Sequence, residues 1–314
     1  MSDAAGTIVF VFSLIALGYL AALAGLLKAE TGDALADFTV AVAIPALLFR
    51  TMANAHFGDV SPFLLWATYF CAVGVTWAIG EITVVRLFGR ERRYGVIGGL
   101  SASFSNLAML GIPIIHGIHG EAGFTVLSVI LSVHLPFMMT LSTIEHEWVA
   151  RGAGLNARAL LAGILRNLVR NPLIIGILSG LAFRATGLDL PDLPERIVDG
   201  FAGVAGTIAA FSLGLSLRKF SLSGNVRPAL ALSAVKLLVL PTAALGFALL
   251  FGLPALPARV VLTGAALPTG LNVWLIAMRF GVGQALSANT MMLTMIAGLA
   301  SLAFWTHVAV MVFG

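Results

Sequence analysis

Two clusters of small polar side chains lie inside apolar stretches of this chain, each beside a proline. Ser103, Ser105 and Asn106 are followed by Gly111 and Pro113; Pro268, Thr269 and Gly270 are followed by Asn272, and the two prolines stand 155 residues apart. Hydroxyl and amide groups bind polar ligands without bringing a charge of their own. A proline inside a helix removes one backbone hydrogen bond and clashes with the preceding turn. Hydrocarbon offers no water to repair that loss, so such a break survives where it faces protein or a wet cavity. A half-helix that restarts after a break presents free N–H groups and a partial positive charge. Two such ends make an anion site without a buried arginine. The plainer reading is two ordinary kinks with polar residues gluing helices together. The matched pair with flanking asparagines favours a site, with Asn106, Ser103, Ser105, Gly111, Pro113, Pro268, Thr269, Gly270 and Asn272 as its substrate-binding candidates.

Three ionisable residues join them as coupling or charge-pair candidates. Lys236 falls about eight residues, or ~12 Å of helix, inside an apolar stretch, a depth at which a lysine is costly and marks function or a structural pair. Glu81 lies at a comparable depth, so a Glu81–Lys236 pair is one geometry open to the chain. His134 falls near the middle of another stretch, where it bonds a neighbouring helix or relays protons. Glu145-His146-Glu147 reads as a solvated interface, His116 and His119 as interfacial residues, and Arg50 and Arg279 as anchors at helix ends. No Walker A loop, G-x-S-x-G or C-x-x-C motif is present, which excludes ATP-driven pumping by this chain alone, and no enzyme activity is expected. No metal site and no cofactor are expected, apart from coupling to protons or Na+.

The elements that position these residues follow from composition. Hydrophobic residues make up 59% of the 314 residues and charged residues 10%, against roughly 25% charged in soluble domains. Mean hydropathy is +1.01, so lipid is the main solvent. The sequence pI of about 9.7 then reads as a topology signal rather than as nucleic-acid binding. The single cysteine, Cys71, excludes an internal disulfide and is expected to be a small buried apolar residue. Gly95-x-x-x-Gly99 and Gly176-x-x-x-Gly180 read as helix-packing signals.

Apolar segments of crossing length, ~20 residues, fall near 6–27, 34–53, 62–87, 95–117, 122–148, 168–187, 198–217, 228–251, 258–279 and 285–313. With the N-terminus outside, thirteen of the eighteen Lys and Arg fall in inward loops and four in outward ones, Lys236 being the other. That bias predicts ten spans with both ends outside. Trp66, Trp148 and Trp305 fit interfacial belts. Ten spans divide into inverted halves: a first repeat over 1–150, a cytoplasmic linker over 151–166 and a second repeat over 167–314. The broken segments are the fourth of each half. The predicted fold class is thus an all-α polytopic membrane protein of two inverted five-helix repeats.

At these residues the chain resembles the auxin efflux carrier family, in its bacterial permease branch, over essentially its whole length. The resemblance runs through Ile44-Pro-Ala-Leu-Leu-Phe49, Asn106-Leu-Ala-Met-Leu-Gly-Ile-Pro113, Arg166-Asn-Leu-Val-Arg-Asn-Pro172, Phe211-Ser-Leu-Gly-Leu-Ser216, Lys236-Leu-Leu-Val-Leu-Pro241 and Ala265-Ala-Leu-Pro-Thr-Gly270. It implies a fold similar to bile-acid/sodium symporters, with helices four and nine broken and crossing. Spans 1, 2, 6 and 7 would form a scaffold that dimerises, and spans 3–5 and 8–10 a transport domain that moves like an elevator. Asn106 matches the family's carboxylate-contacting asparagine, and Pro113 and Pro268 match its crossover prolines. The long central loop of the plant exporters is missing, and Glu81 stands where they carry an acidic and a lysine support position. The implied function is secondary transport of a small organic anion, a mono- or dicarboxylate such as malate or malonate, across a bacterial inner membrane. The alternatives are a sodium- or proton-coupled anion symporter and a non-transporting membrane sensor.

Overall fold

The computed structural model of the protein describes residues 3–55, 61–151, 163, 166, 168–222, 224 and 226–314. The linker placed at 151–166, with Arg158, falls almost wholly outside these residues. Among the described residues the chain is helical, with one isolated β-bridge and no strand. Seven helical stretches among these residues are long and apolar enough to cross a membrane, and Pro172–Ala185 and Ala255–Ala266 are shorter apolar helices. Large side chains such as Phe10 and Leu17, Leu178, and Ile296 and Phe304 are exposed, an exterior suited to lipid rather than water.

The chain forms two compact units. The first comprises residues 1–59, 108–132 and 165–219, and the second residues 60–107, 133–164 and 220–314.

The first unit holds α1 (Asp3–Leu23), α2 (Ala29–Phe38) and α3 (Ile44–Ala53). It also holds the opening turns of a long helix, together with two later helices. The second unit begins with α4 (Pro62–Ile82) and α5 (Arg92–Ser103), and the long helix α6 (Ile112–Arg151) has its first part in the first unit and its last part in the second. Then come α7 (Pro172–Ala185) and α8 (Asp192–Leu217) in the first unit. The second unit closes with α9 (Val226–Ala234), α10 (Leu240–Leu250), α11 (Ala255–Ala266), α12 (Asn272–Phe280) and α13 (Gln284–Phe313).

In the first unit α1 and α2 pack on α8, and α3 packs on α7 and α8. Lipid tails are as apolar as leucine, so these contacts depend on close van der Waals packing. Glycine supplies the closeness. A Cβ at Gly18 would collide with the Phe211 carbonyl oxygen, and one at Gly214 with that of Ile15, so α1 and α8 meet glycine to backbone from both sides. The Gly176-x-x-x-Gly180 signal is used the same way. A Cβ there would lie 2.6 Å from the Pro45 oxygen and 2.5 Å from the Phe49 oxygen of α3.

In the second unit α5 and α10 pack on α4, and α9 and α11 pack on α13. Val84, Ala102, Ala229, Leu232 and Leu286 form a buried apolar cluster there. Gly99 lets the Trp77 ring lie on α5, 2.6 Å from where its Cβ would be. Two expectations change. Trp305 is buried, its indole N–H donating to the Leu237 carbonyl at 2.8 Å, because a partner was available inside the unit. Cys71 is exposed on α4, where a small apolar thiol tolerates lipid as well as it tolerates a core.

Among the described residues there are four π turns, two within helices, one ending α4 and one opening α6, and three share one cause. Thr39–Ala43 precedes Pro45, Leu107–Gly111 precedes Pro113, and Val235–Val239 precedes Pro241, each proline being the second residue after the turn. A proline ring clashes with the carbonyl four residues back; widening the preceding turn to π spacing moves that carbonyl away. Pro113 therefore sits inside a continuing helix. The true break in this segment lies earlier, at Phe104–Asn106. Gly120 supplies a second interruption: at φ 64°, ψ −164° it splits α6, with a positive φ that glycine adopts freely.

Candidate functional site

In the second unit two buried segments leave the helix between apolar helices. α5 ends at Ser103, and Phe104 is extended (φ −84°, ψ 99°); α11 ends at Ala266, and Leu267 is extended (φ −63°, ψ 149°). The two segments pair antiparallel at Ser105 and Thr269. The Asn106 N–H donates to the Pro268 carbonyl at 2.9 Å, and the Gly270 N–H to the Phe104 carbonyl at 3.0 Å. Each unwound strand thus supplies the partners that helix would have given the other, as backbone polar groups away from water require. Proline suits position 268 because only its carbonyl is used.

Side chains complete the accounting. Thr269 donates its N–H to Thr294 Oγ1 at 3.1 Å, and its own hydroxyl donates to the Ser101 carbonyl at 2.8 Å. Ser103 turns back to the Gly99 carbonyl at 2.7 Å. Gly270 is needed by space: a Cβ would lie 3.0 Å from the Phe104 ring. Ser103, Ser105, Asn106, Thr269 and Thr294 are all buried, and the next helices start at Leu107 and at Asn272, the latter half-buried.

Lys236 closes this crossing. Its ammonium donates to Leu267 O at 2.6 Å, Ala265 O at 2.8 Å and Ser105 Oγ at 3.0 Å, with none of the residue exposed. An ammonium has three N–H donors, so all three are satisfied. Two of the acceptors are carbonyls at the C-terminal end of α11, where a cation complements the helix dipole. None of the three is a carboxylate. The Glu81–Lys236 geometry considered from the sequence is therefore not adopted. Glu81 instead packs its stem where Gly95 leaves room and lies beside Glu145. Glu145, expected to be solvated, accepts the Trp77 indole N–H at 2.8 Å.

His134 is buried beneath the same crossing, edge-on to Phe104 (ring centroids 4.8 Å) and to Tyr69 (5.6 Å). Ser105 is the polar neighbour of both His134 and Tyr69. Sequence reasoning missed Tyr69 and Thr294. For Thr294 a signal existed: Ser287, Thr290 and Thr294 are spaced three and four apart on one face of α13, and all are buried.

The second unit thus gathers Ser103, Ser105, Asn106, Pro268, Thr269, Gly270, His134 and Lys236. Gly111 and Pro113 belong to the first unit. There Pro113 lines a cleft with Thr7, Phe10, Leu47, Arg50 and His116. Arg50, beyond anchoring a helix end, pairs with Glu121 at 3.0 Å and Asp199 at 3.4 Å, and His116 lies 3.1 Å from the same Glu121 oxygen. Among the described residues no group of three or more metal-ligating side chains is found.

Apolar helices with large exposed side chains, and a buried crossing of unwound segments within the second unit, define an integral membrane protein. The family described as "Membrane transport protein" matches residues 3–306, and the chain belongs to it. An "Uncharacterized transporter" of Methanothermobacter thermautotrophicus is 26% identical over 96% of this chain and 97% of its own length. A "Putative malonate transporter" of Rhizobium meliloti is 25% identical over 96% and 94%. The mouse "Lysosomal cholesterol signaling protein" is 27% identical over 73% of this chain, a match that spans 28% of the mouse protein.

Proposed function

We propose that the protein is a secondary carrier for a small organic anion, a mono- or dicarboxylate such as malate or malonate, bound where the two unwound segments cross. The observation that carries this reading is the buried Lys236 ammonium, held by neutral oxygens alone. It leaves a net positive charge beside Asn106 and Thr269, next to helices that restart with their positive ends at the crossing. A carboxylate supplies the missing negative charge, and the Asn106 amide reads its oxygens. The malonate named for the Rhizobium relative is consistent with this substrate class.

The wider architecture enters the same proposal. Ten spans form two inverted repeats, with helices four and nine as the broken pair. The first unit serves as a scaffold through which two copies associate, and the second carries the anion across a bacterial inner membrane in an elevator-like movement. Both termini lie outside. Retention of a crossing within one compact unit supports such a rigid-body step, because the site can move without being dismantled.

Thermal stability of the purified protein in a panel of carboxylates tests the binding half of the proposal, since a ligand of the native state raises apparent stability by mass action. Counterflow in proteoliposomes tests the transport half. The name of the mouse relative favours a second reading, a membrane sensor. Its signature is a thermal shift with a carboxylate and no counterflow of it.

A further inference from the structure

Three oxygens converge on one buried point of the crossing, and an amino-acid side chain occupies that point. Leu267 O, Ala265 O and Ser105 Oγ lie 2.6, 2.8 and 3.0 Å from Lys236 Nζ. Two are carbonyls released where α11 unwinds, at the negative end of its dipole. Unwound carbonyls and half-helix C-terminal ends are the ligands that hold coupling cations in carriers built on broken helices. A side-chain hydroxyl completing the set is equally suited to an alkali cation. Every ligand is neutral and buried. The geometry is that of a cation cage whose cation is tethered to the chain by four methylenes.

The tether is aimed by sequence. Pro241 imposes the π turn Val235–Val239, and Lys236 lies inside that turn. The widened turn shifts the register of its side chains relative to a regular helix, as π turns at functional sites do. Among the described residues the ionisable groups around this point are few. α4 brings Tyr69 and α6 brings His134, both near Ser105, while Glu81 and Glu145 are engaged with each other and Trp77.

We propose that Lys236 is a built-in replacement for a dissociable monovalent cation at the crossing, so that the anion is carried without Na+ or K+. This rests on the carrier reading above and selects, within it, against the sodium-coupled symporter. Lys236 is a positioning residue: its ammonium holds the crossed segments and supplies their positive charge, as a bound cation would.

The full-length protein is compared in NaCl, KCl and choline chloride at equal ionic strength, by apparent melting temperature and by dicarboxylate counterflow. For the wild type we expect the same melting temperature and the same counterflow rate in all three salts. Lys236→Ala opens the cage. In choline it should melt lower and lose counterflow by about tenfold or more, the scale of removing ~1.4 kcal/mol or more of interaction. Na+ or K+ should then raise its melting temperature saturably and restore counterflow. Lys236→Met fills the space with an apolar chain and should show no salt rescue. Saturable Na+ or K+ stimulation of the wild type overturns the proposal, as does a folded Lys236→Ala that responds to neither ion. The wild-type series decides the matter even where the alanine variant does not fold. A wild type that exchanges no carboxylate in any salt defeats the carrier reading instead, and the melting series still reports on the cage.

Discussion

Ser105 and Thr269, 164 residues apart in sequence, face each other as the only antiparallel bridge pair among the described residues. Through this pair two helices that each lose their own hydrogen bonding satisfy one another, and Lys236 is bonded both to Ser105 and to the carbonyls just before Thr269.

Thr294 anchors one side of the pair by accepting the Thr269 N–H. Thr294→Val keeps the shape and removes the acceptor, leaving a buried donor unmet at a cost of about 1–3 kcal/mol. We expect a clear fall in apparent melting temperature for Thr294→Val and near wild-type behaviour for Thr294→Ser, measured in the same detergent. Equal stability of the valine variant would mean that this hydrogen bond contributes nothing.

Pro241 maintains the π turn that presents Lys236. Pro241→Ala restores an N–H and removes the ring clash, allowing the turn to relax to regular helix. We expect the variant to fold and to lose carboxylate counterflow, because the ammonium is displaced from the crossing. Unchanged counterflow would show that the turn does not set the position of Lys236.

The α3–α7 contact in the first unit depends on glycine. Gly176→Leu forces a side chain into the Pro45 backbone and should abolish folded protein, whereas Gly246, with nothing within 4 Å of its would-be Cβ, should accept alanine without loss. Fluorescence size-exclusion profiles of the two variants separate these outcomes.

The ion cluster around Glu121 should matter far less. Its side chain is 59% exposed, and exposed pairs contribute about 0–1 kcal/mol and are screened by salt. Glu121→Gln is expected to change the melting temperature little, with any difference shrinking at high salt. A large, salt-independent fall would contradict this.

How much of this was legible in the sequence varies with the range of the interaction. Pro268 announced its break because the segment it disrupts is its own. Pro113 misled, since a π turn absorbs a proline without ending the helix, and the actual break at Phe104–Asn106 depends on hydrogen bonds to residues 268–270. Lys236 was conspicuous by depth, but two of its partners are backbone carbonyls, which no residue type advertises. A carboxylate was the only partner that sequence could offer, and Glu81 turned instead toward Glu145. The glycine pairs at 95–99 and 176–180 read correctly because close approach demands a residue type directly.

The most direct test is counterflow of labelled malonate or malate in proteoliposomes, comparing wild type with Asn106→Ala matched for melting temperature and elution profile. We expect exchange by the wild type and a fall to the level of protein-free liposomes for the variant. Wild-type exchange by well-folded Asn106→Ala would remove the crossing asparagine from the substrate site and contradict the assignment.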